Sequence, residues 1–343
     1  MLVLGIETSC DETAVAVLED TFTVRTNLLA RQTDLHERFG GVVPELAARA
    51  HVEALSPLME RALQEAGCDV GDLDGVAVTV GPGLVGALLV GMAAAKAVAL
   101  ATGAPLIGVN HLEGHVWANF IEHGPPEPPY VCLVVSGGHT MLLHMPEPHR
   151  YEVLGQTLDD AAGEAFDKVA RLLGLGFPGG PALDRLARQG DPDAVRFPRA
   201  MEASGDLDFS MSGLKTAVVR YLRAEREAGR EVDPADLAAS FQEAVVEVQV
   251  KKTIAAARAK GVGTILLGGG VVANSRLRER IRSEGEAAGF RVLYPSIELC
   301  TDNAAMIACA GSARLARGER TPLDVAADPG LPLPGAGRRG AER

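Results

Sequence analysis

The chain opens on an apolar stretch, a polar turn and a second apolar stretch, and later it repeats that order. Residues 2–6 read as a strand, Glu7-Thr-Ser-Cys-Asp-Glu12 as a turn and residues 13–18 as a second strand. Residues 130–135, the tight turn Ser136-Gly137-Gly138-His139 and residues 140–144 give the same pattern again. Each hairpin is followed by helical periodicity and later by a short apolar run ending in glycines. In the first copy that run is 75–80, before Gly81-Pro82-Gly83; in the second it is 264–267, before Gly268-Gly269-Gly270. Between the copies lies His123-Gly-Pro-Pro-Glu-Pro-Pro129, the strongest break in the chain. A repeated hairpin with helices after each copy predicts a structural duplication, because neither half-sheet can bury its faces without helices of its own.

The fold class that follows is α/β: a two-lobed actin/hexokinase/heat-shock-chaperone ATPase-like fold with a duplicated core and an interlobe cleft. Its expected parts are an N-terminal lobe over 1–125, a C-terminal lobe over 129–300, a helix at 301–318 returning to the first lobe, and a mobile tail at 319–343 rich in Pro, Gly and Arg. A doubly wound dinucleotide-binding sheet requires Gly-x-Gly-x-x-Gly after its first strand, and the turn 7–12 contains no glycine. Helical period is expected at 44–66, with Pro44 at the first helical position and Pro57 as a break. Further helices are expected up to 102 and at 163–173, 180–188, 213–226, 234–260, 274–288 and 302–316. The Gly/Ala-rich stretch 84–101 carries Lys96 and reads as a buried core helix rather than a membrane span.

The first residues carry no basic segment of the secretory type. Five cysteines without a Cys-x-x-Cys fit reduced thiols, so the expected location is cytoplasmic, with no membrane partner. Net charge is −12, which argues against nucleic acid binding over the whole surface. The halves differ: residues 1–170 hold 8 Lys and Arg against 23 Asp and Glu, and residues 171–343 hold 25 against 22. Basic residues at Arg276, Arg278, Arg280 and Arg282 therefore suggest an anionic ligand approached from the second half, beside the plainer reading of solvated helix faces.

His111 and His115 lie four residues apart, so a helix would stack both imidazoles on one face, where they can share one divalent metal. The zinc-protease signature places its general-base Glu directly after the first His. Here Leu112 stands there and the carboxylate is Glu113, on another side of the helix. A metalloprotease acting on glycoproteins is the alternative reading, and it lacks its base. Asp302 would complete a two-His, one-carboxylate site, or it or Thr301 would cap the next helix. The glycines of Ser136-Gly137-Gly138 and Gly268-Gly269-Gly270 permit backbone N–H groups to approach a phosphate or a planar ligand, or simply form turns. Asn274 would cap the helix after it. Asp167 and Asp184 flank the glycine pair Gly179-Gly180 and could hold ribose hydroxyls, or cap helices.

Taken together, the segments Gly5-Ile-Glu-Thr-Ser-Cys-Asp-Glu-Thr-Ala14, Gly41-Val-Val-Pro-Glu45, Asn110-His-Leu-Glu-Gly-His115, Val135-Ser-Gly-Gly-His-Thr140, Asp159-Asp-Ala-Ala-Gly-Glu-Ala-Phe-Asp-Lys168, Ser212-Gly-Leu-Lys-Thr216, Gly268-Gly-Gly-Val-Val-Ala-Asn274 and Asp302-Asn-Ala-Ala-Met-Ile307 resemble the bacterial branch of the TsaD family. The resemblance covers most of the chain. It implies one divalent metal per subunit on His111, His115 and Asp302, with iron (Fe2+) favoured over zinc. It implies substrate contacts at Val134, Val135, Ser136, Gly137, Gly138, Asp167, Gly180, Asp184 and Asn274. The archaeal and eukaryotic branch has a Tyr metal ligand where this chain has Val134, and often Asn where it has His139. A fourth ligand would therefore be water or substrate.

The implied reaction moves a threonylcarbamoyl group from threonylcarbamoyl-AMP to the N6 amine of the adenosine adjacent to the anticodon, in tRNAs reading codons that begin with A. A base must take the amine proton, and Asp11, Glu12 and His139 in the two turns are the candidates. The implied partners are the paralogous TsaB and the small ATPase TsaE. A sugar kinase of the same architecture and a non-catalytic scaffold are the remaining alternatives.

Overall fold

In the computed structural model, which describes residues 1–335, the first hairpin lies at the centre of a five-stranded sheet. β1 (Leu2–Glu7), β2 (Glu12–Glu19) and β3 (Thr23–Arg31) pair antiparallel. After α1 (Thr33–Glu37) and α2 (Pro44–Ala66), β4 (Gly75–Gly81) pairs parallel with β1. The crossover α3 (Val85–Thr102) leads to β5 (Leu106–Asn110), and α4 (His111–His123) follows it without a loop. The order is β3-β2-β1-β4-β5. Strand alternation sends Leu4, Ile6, Val76 and Val78 to one face, where they pack on Leu55 and Leu63 of α2 and Met92 and Ala95 of α3.

Pro57 does not break α2. It lies on the solvent side of the helix, so the Glu53 carbonyl it leaves without a donor can bond water, while buried Leu55, Ala62 and Leu63 hold the helix on the sheet. α3 is long and apolar enough to cross a membrane, and its Leu88, Gly91, Met92 and Ala95 side packs on the sheet.

The second unit, Glu127–Cys300, repeats the plan. β6 (Tyr130–Val135), β7 (Thr140–Glu147) and β8 (Arg150–Gln156) are antiparallel. They are followed by α5 (Ala162–Leu172), α6 (Gly179–Ala187), α7 (Ser212–Glu227) and α8 (Pro234–Lys260), then β9 (Thr264–Gly268), α9 (Ser275–Ala287), β10 (Arg291–Leu293) and α10 (Ile297–Cys300). The order β10-β9-β6-β7-β8 is the first sheet's topology, strand for strand. α8 starts on an Asp233 cap with Pro234 behind it and ends on Gly261 at φ 64. Along it Leu237, Phe241, Val245 and Val248 are buried in the core of this unit.

From Thr301 the chain rejoins the first unit through α11 (Ala304–Ala316). α11 meets the sheet through small residues. A Cβ on Gly5 would come within 2.8 Å of Ala308 Cβ, so glycine permits the close approach. Asn303, rather than Thr301 or Asp302, caps α11 by accepting from Met306 N at 3.0 Å. The Asp302 carboxylate is thereby left free of the capping role.

The tail expected to be mobile from 319 is instead bonded along the first sheet as far as 333. Thr321 N donates to Leu106 O at 2.8 Å, Asp328 N to Val80 O at 2.9 Å, and Leu333 is buried. Proline and glycine deny this stretch regular structure, but strand ends satisfy its backbone. Residues 336–343 lie outside the described part.

Candidate functional site

β1 delivers Glu7 to a buried position at its C-terminal end. Glu7 Oε2 accepts from Thr79 Oγ1 of β4 at 2.5 Å and lies 3.1 Å from His111 Nδ1; Oε1 accepts from Ser9 N at 2.5 Å. Ser9 Oγ also approaches His111 Nδ1 at 3.1 Å. With Nδ1 engaged by a carboxylate, the Nε2 lone pair of His111 is the one left for another partner.

That nitrogen faces Asp302. His111 Nε2 is 3.5 Å and His115 Nε2 3.3 Å from Asp302 Oδ1, and the two rings meet edge to face with centroids 4.6 Å apart. One ligand atom from each of the three residues lies within 4.8 Å of the other two. Burial disfavours the charged form of His111, but the Asp302 and Glu7 carboxylates outweigh it and raise the ring to about 9. Burial keeps His115 below the usual histidine range, against the pull of Asp302. Glu7 is held below the usual carboxylate range because His111, by charge and hydrogen bond, outweighs its burial.

The donor set fits a divalent metal. His115 is fully buried, and neither of its ring nitrogens has a hydrogen-bond partner, the Asp302 contact missing that geometry. Buried polar atoms are rarely left so without a functional reason. Two imidazole nitrogens and a carboxylate oxygen are ligands that iron(II) and zinc both accept.

Local sequence explains the placement. Asn110 caps α4 by accepting from Leu112 N at 2.9 Å and Glu113 N at 3.4 Å, so His111 and His115 share one face a turn apart. Glu113 points elsewhere. It is fully buried and lies 3.5 Å from Arg314 Nη1 of α11, so it is not placed as a protease base.

The first turn carries Asp11 and Glu12 beside this cluster. Burial first, then the Asp302 and Asp11 charges, push Glu12 well above the usual carboxylate range. His51 of α2 donates from Nε2 to Cys10 O at 2.9 Å, with Thr13 Oγ1 2.7 Å from its Nδ1, which fixes the turn's backbone. The Cys10 thiol is raised by burial and by the nearby acids.

In the second unit, Val134 and Val135 end β6 and are buried. Ser136 N donates to His139 O at 2.8 Å across the turn, and Gly137 and Gly138 are exposed. The N-terminus of α5 abuts this turn: Gly163 N donates to Ser136 O at 3.3 Å, and a Cβ on Gly163 would come within 2.8 Å of Gly137 Cα. A glycine turn beside a helix N-terminus is an anion-binding arrangement. Gly269, at φ 99, packs its backbone against Val135 O with no room for a Cβ.

Asp167 Oδ1 accepts from Gly179 N at 2.9 Å and Gly180 N at 3.2 Å, holding the start of α6. Asp184 Oδ1 accepts from Ser275 Oγ at 2.7 Å and Oδ2 from Arg188 Nη2 at 2.8 Å. Asn274 caps α9 through Leu277 N at 3.0 Å and donates to Gln242 Oε1 at 2.7 Å. Asp184 and Asn274 are thus brought together at the start of α9, and Asp167 and Gly180 at the start of α6.

The arginines of α9 have partners within the chain. Arg276 and Arg280 pair with Glu243, Arg278 donates to Val272 O and Pro295 O, and both Arg278 and Arg282 stack on Tyr294.

Sequence reasoning gave no role to Glu7, Ser9, Thr79 or Asn110. The available signal was a charged residue closing a wholly apolar strand, at Glu7.

A family model described as tRNA N6-adenosine threonylcarbamoyltransferase matches residues 23–309. A protein of that name from Symbiobacterium thermophilum is 57% identical over 332 residues, 97% of each chain. One from Moorella thermoacetica is 56% identical over 331 residues, 96% of this chain and 97% of its own. Among solved structures, a full-length HypF in phosphate- and nucleotide-bound form shares the fold at TM-score 0.60 and 15% identity, over 93% of this chain and 47% of its own. Component A of the Acidaminococcus fermentans (R)-2-hydroxyglutaryl-CoA dehydratase does so at 0.55 and 15%, over 92% and 99%. The chain belongs to the TsaD family, the tRNA N6-adenosine threonylcarbamoyltransferases.

Proposed function

We infer that His111, His115 and Asp302 hold one divalent metal, iron (Fe2+) in preference to zinc, at the centre of the threonylcarbamoyl transfer that this family performs. The single observation carrying the reading is the convergence of two fully or nearly buried imidazoles and a distant carboxylate, one of the imidazoles having no hydrogen-bond partner. When bound there, the metal supplies Lewis acidity and an anchoring point for an oxygen of the donor.

The reaction joins the N6 nitrogen of adenosine to the carbamoyl carbon of threonylcarbamoyl-AMP. The bond from that carbon to the phosphate oxygen breaks, AMP leaves, and one amine proton is lost. AMP is a good leaving group, so the protein's work is orientation and stabilisation of developing negative charge. We assign the backbone N–H groups of the Ser136-Gly137-Gly138 turn and the start of α5 to the phosphate, with Val134 and Val135 as the strand end that carries the turn. Asp167, Gly180, Asp184 and Asn274 are assigned to the nucleoside; their present bonds pre-set the two helix starts it would meet. Asp11, Glu12 and His139 are the groups proposed to accept the amine proton. Glu7 and Ser9 hold the His111 ring in the tautomer that leaves Nε2 free.

The substrates of the family's reaction are threonylcarbamoyl-AMP and tRNA, and we place the activity in the cytoplasm, away from membranes. TsaB and TsaE are the proposed protein partners. The acidic first half supports a docking role, and its α2 and α3 expose Val52, Val85, Leu89 and Leu100. The test is reconstitution with threonylcarbamoyl-AMP, an unmodified tRNA and the two partners, with the modified nucleoside read by mass spectrometry. A doubly substituted His111→Ala, His115→Ala protein that retains full activity would overturn the metal reading. Anomalous scattering at the iron and zinc edges decides the element.

A further inference from the structure

We propose that the C-terminal strap, residues 321–333, sets the position of the metal-binding helix, and that Asn110 is the positioning residue that couples them. The inference rests on the assignment of the metal to His111 and His115, and its test separates the two.

Asn110 is nearly fully buried and uses its whole amide. Its Oδ1 caps α4, accepting from Leu112 N and Glu113 N. Its Nδ2 donates to Leu331 O at 3.1 Å and Pro332 O at 3.0 Å, 221 and 222 residues further along the chain. A cap needs only the oxygen, which Ser, Thr or Asp would supply as well. Of the good capping residues, Asn alone adds two side-chain donors. The side chain chosen here therefore does more than start a helix. It ties the first turn of α4, where His111 stands, to two carbonyls of the strap.

The strap is itself fixed at several points, so it can act as a brace. Thr321 Oγ1 accepts from Gly108 N of β5 at 2.9 Å, Lys96 Nζ donates to Val325 O at 2.6 Å, and Gly83 N donates to Pro329 O at 3.2 Å. Together with the bonds from Thr321 N to Leu106 O and from Asp328 N to Val80 O, these anchors run from the first half of β5 and the middle of α3 to the C-terminal end of β4 and the turn before α3, and β5 leads directly into α4. If the strap served only to cover strand ends, its bonds to the sheet would suffice and Nδ2 would have no part in metal binding.

The experiment uses full-length protein carrying Asn110→Asp or Asn110→Ser. Both keep a capping oxygen. Asp turns an acceptor toward the two strap carbonyls, and Ser removes the donors without adding charge. Zinc affinity is measured by competition with a chromogenic chelator, and hydrogen exchange reports protection of the Gly330, Leu331 and Leu333 amides. Wild type and the His111→Ala, His115→Ala protein are run in parallel.

The expected result is zinc binding weakened by about tenfold or more in both Asn110 variants, together with loss of protection in the strap and a retained cooperative melt. Wild-type zinc affinity in a variant whose strap has lost protection would overturn the proposal. So would strap protection that is unchanged in both variants. If wild type binds zinc no better than the double-histidine variant, the metal assignment itself fails, and that outcome is read before the Asn110 data. Should Asn110→Asp not fold, Asn110→Ser alone decides between the same outcomes.

Discussion

Asp302 Oδ1 lies 3.3 Å from His115 Nε2, and His115 is the imidazole whose two ring nitrogens lack hydrogen-bond partners. A buried polar group in that state costs about 1–3 kcal/mol. Leucine has a similar volume and no polar atoms. Metal-free His115→Leu should therefore melt at or above metal-free wild type, while binding no zinc and losing transfer activity. Calorimetry on both proteins in chelator checks this. A variant melting several degrees lower would mean that His115 contributes to the apo fold through bonds of its own.

Metal loading should stabilise the wild type by mass action. A ligand that binds only the folded state adds about 2.7 kcal/mol at a hundredfold excess over its dissociation constant. The melting temperature should rise on zinc addition and fall back with chelator. In Asp302→Asn the rise should shrink, because the carboxylate charge is lost while the shape is kept. An equal rise in wild type and Asp302→Asn would remove Asp302 from the ligand set.

Much of this was readable in advance because two periodicities repeat. Strand alternation and a glycine-terminated buried strand occur once in each half, and both sheets have the same order. The strands β3, β8 and β10, three of the four sheet edges, were not legible because they are partly exposed or short. β3 is largely exposed or half-buried, and β10 has three residues. Edge strands lack the two-sided burial that writes a continuous apolar run. The histidine pair could be read from its spacing. Asp302 could be joined to it only through the family resemblance, because nothing local links residues so far apart. The strap misled for a different reason. Its prolines and glycines match the composition of a loose tail, whereas its order comes from backbone bonds to β4 and β5, which composition does not encode. The ion pairs of the α9 arginines were hidden in the same manner, since spacing does not reveal that Glu243 lies within reach of two of them.

Gly163 tests the proposed phosphate turn without touching the metal cluster. A Cβ there would come within 2.8 Å of Gly137 Cα and 2.7 Å of Ser136 O. Gly163→Ala must therefore push the turn away from the start of α5, at an overpacking cost of about 1–3 kcal/mol. The affinity for AMP, measured calorimetrically, should fall by about tenfold, with zinc affinity unchanged. Unaltered AMP binding in a folded Gly163→Ala protein would remove the turn from the nucleotide site.

Acid should act on the second unit through Glu247. Burial works against its charged form, but Lys251 Nζ at 2.6 Å and Arg199 Nε at 2.7 Å outweigh that and lower the carboxyl to about 2. The ordinary value is near 4.5. Below that value the unfolded chain takes up a proton that the folded protein still refuses, so acid favours unfolding. The stability this network contributes is complete at neutral pH and is lost as pH falls from about 4.5 toward about 2. Glu247→Gln forfeits the ion pairs at every pH. The protection of α8 amides in the variant should be clearly below wild type at pH 7, and the two should converge as pH approaches the folded value. A gap that stays constant between pH 7 and pH 3 would show that Glu247 acts through packing rather than charge.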